Sequence, residues 1–188
     1  MPFYNSISKY DWQYLVTGFF LITFFILTDL IGFIDKEYFY FVPRLISDQP
    51  YRIFTSILTH ADLNHLLSNL GGIIMTRYFL MRLGIKSRFF YFKFIFICSF
   101  LIFFNIYPNY AALGFSGIIY ALFGFLLLTS FYGKKYFLGK EIGLKSNYEV
   151  QKMLRTICLI GLIFSFFPGI SLLGHISGFL AGCFLFLI

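Results

Sequence analysis

The chain has 188 residues, room for one domain, with 59% hydrophobic and only 12% charged residues. A soluble domain carries about 25% charged residues, so a water-facing globule is excluded, and so is disorder, which needs low hydrophobicity. The net charge of +7 does not argue for nucleic acid, since basic residues of a membrane protein gather in its cytoplasmic loops.

Mean hydropathy is +0.81, and a transmembrane helix needs roughly 20 mostly apolar residues. Six such segments follow in chain order: Trp12–Ile34, Leu63–Leu80, Phe89–Tyr107, Gly114–Tyr132, Gln151–Phe167 and Ser171–Ile188. The expected fold is a single all-α membrane domain over residues 1–188, a six-helix polytopic bundle. The first segment lacks a basic n-region and a small-residue cleavage site, so it reads as a span and not a cleaved signal peptide. Residues 35–62 form a long loop whose Tyr38-Phe39-Tyr40-Phe41-Val42 run suits the membrane interface. Asp29, late in span one, has no partner that the sequence identifies.

Lys and Arg orient the bundle. Lys9, then Arg77, Arg82, Lys86, Arg88 and Lys93, then Lys134, Lys135, Lys140, Lys145, Lys152 and Arg155 put 12 of the 15 basic residues on one side. By the positive-inside rule both termini are cytoplasmic, in a cell membrane crossed several times. The uncharged connectors Pro108–Leu113 and Pro168–Leu173 then fall outside. Cys98, Cys158 and Cys183 lie in apolar runs with no zinc or redox spacing and read as packing residues.

Strongly polar groups inside a membrane default to functional candidates. His60 and His65 lie at the entry to span two, with Asn69 four residues after His65 on the same helix face. Ser116 lies at the start of span four and His175 near the start of span six. Even-numbered spans run from outside to inside, so His65, Asn69, Ser116 and His175 share one layer below the outer surface. Span six carries Gly174, Gly178 and Gly182, and span four carries Gly117, Ala121 and Gly124, spacings that let helix backbones approach. Such a contact brings a hydroxyl to an imidazole, the nucleophile-and-base arrangement of covalent catalysis.

These residues resemble the rhomboid family of intramembrane serine proteases. The resemblance is carried by Tyr51-Arg52-Ile53-Phe54-Thr55, by His60 with His65 and Asn69, by Gly114-Phe115-Ser116-Gly117 with Tyr120, Ala121 and Gly124, and by Gly174-His175 with Gly178; it covers about residues 12–188. It implies a nucleophile at Ser116, a general base at His175 and no third carboxylate. It also implies an oxyanion site made by His65, Asn69 and the Ser116 backbone. Supporting roles fall to His60, to Tyr120 packed on the imidazole, to Arg52 anchoring the external loop, and to Gly117 and Gly178 at the helix contact. Tyr51 stands where many members have Trp, and the chain has no sizeable extramembrane domain, a minimal core. Span six ends apolar at Ile188 with no basic anchor, so its carboxylate sits at the inner interface or the chain continues.

The activity so implied is cleavage of single-span membrane proteins near their outer end, with no cofactor and no metal. Substrate entry is expected beside span five, where Phe164-Ser165-Phe166-Phe167-Pro168-Gly169 suits a gate. Ordinary lipid-facing aromatics are the alternative there. A zinc site of His60, His65, His175 and Asp62 lacks the glutamate and four-residue spacing of zinc proteases. A non-catalytic binding or quality-control protein on the same scaffold, and a rhombosortase-like processor of carboxy-terminal anchors, remain the other readings.

Overall fold

A computed structural model describes residues 10–105, 111–167 and 169–188. Lys9, Tyr107, Pro108 and Pro168, which entered the charge placement, span ends and connectors above, lie outside them. A helix lies over each of the six expected segments. Helix α1 (Trp12–Phe25) continues as a π-helical turn, Ile26–Leu30. It stops short of Ile34, with Gly32 at φ +66° and the Thr28 hydroxyl bonded back to the Phe24 carbonyl at 3.0 Å.

A short helix α2 (Arg52–Thr55) follows within the long loop, then α3 (Leu63–Leu83). The Asp62 carboxylate caps α3 by accepting the His65 N–H at 2.8 Å, and Gly84 ends it at φ +80°. Helix α4 (Phe90–Asn105) starts against α1, where the buried Gln13 Oε1 accepts the N–H groups of Tyr91 and Phe92 at 3.1 and 3.3 Å. Then come α5 (Ser116–Tyr132), α6 (Tyr148–Phe164) and α7 (Leu172–Leu187). Asn147 caps α6 through the Val150 N–H and Ser171 caps α7 through the Gly174 N–H, both at 3.0 Å. The Asn147 cap explains why α6 begins three residues before Gln151.

Helix α5 is the central post. It is apolar all round and buries Ile118, Leu122, Phe125 and Leu126 completely, as a core helix must. Helices α3, α4, α6 and α7 pack on it, and α1 lies outside against α3 and α4. Among the long helices α6 is the least enclosed, burying only Val150 and Leu154. Large apolar side chains face outward around the bundle, among them Phe19, Phe20, Leu159, Leu180 and Phe184. A water-soluble surface rarely carries so continuous an apolar coat. Trp12–Leu30 is long and apolar enough to cross a membrane unaided, whereas the apolar stretches of α4, α5 and α7 are shorter. At 1.5 Å per residue the 17 residues of α5 reach about 25 Å, against about 30 Å of hydrocarbon.

Two segments are more ordered than the sequence suggested. The basic connector folds as a hairpin, β1 (Lys134–Phe137) against β2 (Lys140–Leu144). Its Lys134 ammonium donates to the Leu185 and Phe186 carbonyls at 3.0 and 2.6 Å and lies over the Phe186 ring. Helix α7 therefore does have a basic anchor, supplied by the hairpin and placed at the negative end of its dipole. The loop between α1 and α3, for its part, carries two 3-10 turns besides α2. Its Phe41 pairs with Ala112 through two backbone bonds of 2.9 and 3.1 Å.

Candidate active site

The seam between α5 and α7 is built from missing side chains. A Cβ on Gly178 would run into the Gly117 carbonyl, one on Gly182 into the Ala121 carbonyl, and one on Gly124 into the Phe179 carbonyl. The two backbones touch, which only glycine permits. Ser116 is the first residue of α5 and half-buried. His175 lies in the first turn of α7 and is buried. Tyr120, one turn below Ser116, lays its ring flat on the imidazole, with centroids 3.9 Å apart and planes 11° apart.

Ser116 and Gly174, the residue before His175, line one cavity of about 50 Å³ with Ser56, Ser99 and Ser171, room for a few waters. His175 lines a second, apolar cavity of about 350 Å³ between α5, α6 and α7. Among the described residues no hydrogen bond joins Ser116 Oγ to His175; catalytic hydrogen bonds often tighten only when substrate binds. The bonded partner of the imidazole is Ser165 at the end of α6, whose Oγ lies 2.7 Å from His175 Nδ1.

Two donors converge on Gly114, two residues before Ser116. A Cβ there would lie 2.6 Å from His65 Cε1, 2.7 Å from His65 Nε2 and 3.6 Å from Asn69 Nδ2. At φ +102° the position suits glycine on backbone grounds as well. Among the described residues Asn69 Nδ2 is buried without a hydrogen-bond partner, a costly state for an amide unless something else fills it. The proton on His65 can be assigned from its neighbour. Its Nδ1 accepts the Ala61 N–H at 3.4 Å, so the neutral ring carries its hydrogen on Nε2, the atom beside Gly114. The Ser116 N–H, in the first turn of α5, has no acceptor within its own helix. His65 Nε2 and Asn69 Nδ2 thus meet at Gly114, two residues before the serine that opens α5.

The loop that carries α2 braces this region. Arg52, 3% exposed, donates to the Glu37 and Tyr40 carbonyls, each at 2.8 Å, and to Gln49 Oε1 at 2.5 Å. These are loop-bracing contacts, none directed at Ser116 or His175. Gly114 N–H in turn donates to the Ser56 carbonyl at 2.9 Å. His60 Nδ1 lies 3.1 Å from the Leu58 carbonyl, and its ring meets His65 edge-on with centroids 5.1 Å apart. Burial, and then the neighbouring His65, push His60 down to about 4, so it is neutral at ordinary pH. Asp29 has a partner after all. It pairs with Lys36, whose ammonium also donates to the Ala61 carbonyl at 3.1 Å. That link ties the end of α1 to the residue whose N–H fixes the His65 ring.

Of the residues singled out by sequence, the structure gathers Ser116, Tyr120, Gly117, Gly178 and His175 at one seam and His65 with Asn69 beside it. Arg52 and His60 stand in the surrounding loop. Sequence reasoning missed Gly114 as a contact of the donors, Ser165 as the partner of His175, and the Asp29–Lys36 pair. Phe166 and Phe167 are exposed, at 69% and 55%, facing away from the bundle, and Pro168 lies outside the described residues. Among the described residues no group of three His, Cys, Asp or Glu side chains is arranged to hold a metal ion.

The family model of the Rhomboid domain matches residues 47–188, which takes in α2 to α7 and every candidate residue above. Direct comparison with curated proteins gives no match.

Proposed function

The chain belongs to the rhomboid family of membrane proteins, and on that premise we propose that it is an intramembrane serine endopeptidase acting through Ser116 and His175. The observation that carries the reading is the convergence of His65 Nε2 and Asn69 Nδ2 on Gly114, two residues before a serine whose helix touches that of a buried histidine. Ser116 Oγ attacks the scissile carbonyl while His175 Nε2 takes its proton. The oxygen, now negative, is stabilised by the Ser116 N–H, the His65 Nε2–H and the Asn69 amide. His175 returns the proton to the leaving amine, and water from the small serine-lined cavity hydrolyses the acyl-enzyme. Preorganised donors at such an oxygen are worth about 2.7–4 kcal/mol each in serine hydrolases.

The placement of basic residues supports a six-span arrangement with cytoplasmic termini and a site open to the extracytoplasmic side. A transmembrane helix hides its carbonyls in its own hydrogen bonds, so the substrates are single-span membrane proteins unwound near their outer end. The test is labelling by a fluorophosphonate probe in detergent micelles. Wild type is labelled; Ser116→Ala and His175→Ala are not, while both remain monodisperse. Equal labelling of all three would refute the assignment.

A further inference from the structure

Ser165 occupies an unusual position. It is the residue that ends α6 and is 1% exposed, yet its Oγ touches three polar atoms from three helices. It lies 2.7 Å from His175 Nδ1 on α7, 3.2 Å from the Tyr120 hydroxyl on α5 and 2.8 Å from the Gly161 carbonyl of its own helix. Tyr120 also reaches the Gly161 carbonyl at 2.8 Å. That carbonyl already accepts the Ser165 N–H at 3.0 Å.

Counting protons decides how these contacts are shared. A carbonyl oxygen has two lone pairs, so Gly161 accommodates the Ser165 N–H and one hydroxyl. If Ser165 gives its proton to Gly161, its oxygen is free to accept from both Tyr120 O–H and His175 Nδ1–H. Every donor and acceptor in the group is then used. If Tyr120 takes the Gly161 carbonyl instead, Ser165 turns its proton toward His175 Nδ1. Both lone pairs of the buried Ser165 oxygen are then left without a donor. If Tyr120 donates to Ser165 while Ser165 donates to Nδ1, one lone pair is still unused, so either alternative makes fewer bonds than the first. The closed network puts the imidazole hydrogen on Nδ1 and leaves Nε2 bare.

We propose that Ser165 is a positioning residue for the hydrolytic reaction, holding His175 in the tautomer whose Nε2 accepts a proton and tying it to the last turn of α6. It does for the imidazole what a carboxylate does in a triad, but as a neutral acceptor. The inference rests on the proposed function, in which Nε2 is the basic atom. Helix α6 also buries fewer of its own side chains than the other long helices, so the base is tethered to a helix that encloses little else.

The experiment compares Ser165→Ala, Ser165→Thr, Tyr120→Phe and Ser116→Ala in the full-length chain in detergent. Two quantities are read: the rate of fluorophosphonate labelling, and the 15N spectrum of histidine-labelled protein, with His175 assigned by its loss in His175→Ala. Wild type should show a protonated Nδ1 and a bare Nε2 at His175. Ser165→Ala should label about tenfold more slowly or worse and show mixed tautomers. Ser165→Thr, which keeps the hydroxyl, should stay within a few-fold of wild type with the wild-type spectrum. Tyr120→Phe should keep the Nδ1–H tautomer, because Ser165 still bonds Gly161. Wild-type labelling or an unchanged His175 tautomer in Ser165→Ala overturns the inference, as does loss of the tautomer in Ser165→Thr. Undiminished labelling of Ser116→Ala would instead overturn the proposed function itself, so the two failures are distinguishable.

Discussion

The two ends of the α5–α7 seam are held by different forces. At the C-terminal (inner) end of the two helices Phe90, Phe94, Phe125 and Phe137 form one nest of rings, with centroid distances of 5.0–6.1 Å, and Lys134 closes it by capping α7. At their N-terminal (outer) end packing gives way to directed polar contacts: Tyr120 flat on His175, Ser165 bonded to Nδ1, and His65 with Asn69 at Gly114. The inner end is thus a clamp that tolerates no particular chemistry. The outer end contains a buried amide nitrogen, Asn69 Nδ2, that has no hydrogen-bond partner among the described residues, which weakens the fold unless a ligand oxygen uses it. Mutations at the two ends should therefore separate stability from turnover.

The seam itself is common to both ends, so breaking it should have the largest effect. Gly182→Leu would drive a side chain into the Ala121 carbonyl, and the helices cannot part without opening the whole contact. The expected cost exceeds about 4 kcal/mol, read as loss of monodisperse protein and of labelling together. A Gly182→Leu protein that stays folded with normal labelling would mean that the two backbones do not touch. Next comes the inner clamp. Phe125→Ala removes a fully buried ring and should cost about 3–5 kcal/mol, lowering the thermal midpoint in detergent. Labelling per folded molecule should not change.

At the outer end the pattern reverses. Asn69→Ala removes a buried donor that has no partner among the described residues, so the fold loses little and turnover falls about 10²–10³-fold. The check is kcat on a model transmembrane substrate beside the thermal midpoint. A midpoint that drops while kcat holds would reassign Asn69 from the reaction to the core. The contrast with Phe125→Ala is what matters, since each variant is expected to move the quantity that the other leaves alone.

Much of the outer end was legible because helical periodicity and glycine spacing are local signals. Ser116 and Tyr120 are four residues apart, as are His65 and Asn69, and the Gly174, Gly178 and Gly182 stripe announces a close helix contact. What escaped notice depends on geometry that no repeat encodes. Ser165 meets His175 across a turn between two helices, and the direction of that turn cannot be read from its residues. Asp29 meets Lys36 across a π-helical turn that shifts the face on which Asp29 lies. The hairpin was hidden by its turn residues. Leu138 and Gly139 both have positive φ, +49° and +70°, the two-residue geometry usually announced by Asn-Gly or Asp-Gly. With leucine in the first place, the segment read as a basic connector.

Lys134 is where that missed hairpin can be tested, and its effect should be the smallest of the four. The ammonium bonds the last carbonyls of α7 and lies over Phe125, Phe137 and Phe186 at 5.2–5.9 Å. Burial pulls its pKa down, yet two carbonyls and three ring faces favour the charged form. Lys134→Met keeps most of the apolar stem and removes the charge, so it isolates the cap from the packing. A cation at a partly buried helix C-terminus contributes about 1–2 kcal/mol, and the thermal midpoint should fall by a few degrees. The outer end lies at the far end of the same helix, so the labelling rate should be unchanged. A Lys134→Met protein with a normal midpoint would mean that the rings alone hold the inner end. A slowed labelling rate would mean that the inner clamp sets the position of His175, joining the two ends that the other variants treat as separate.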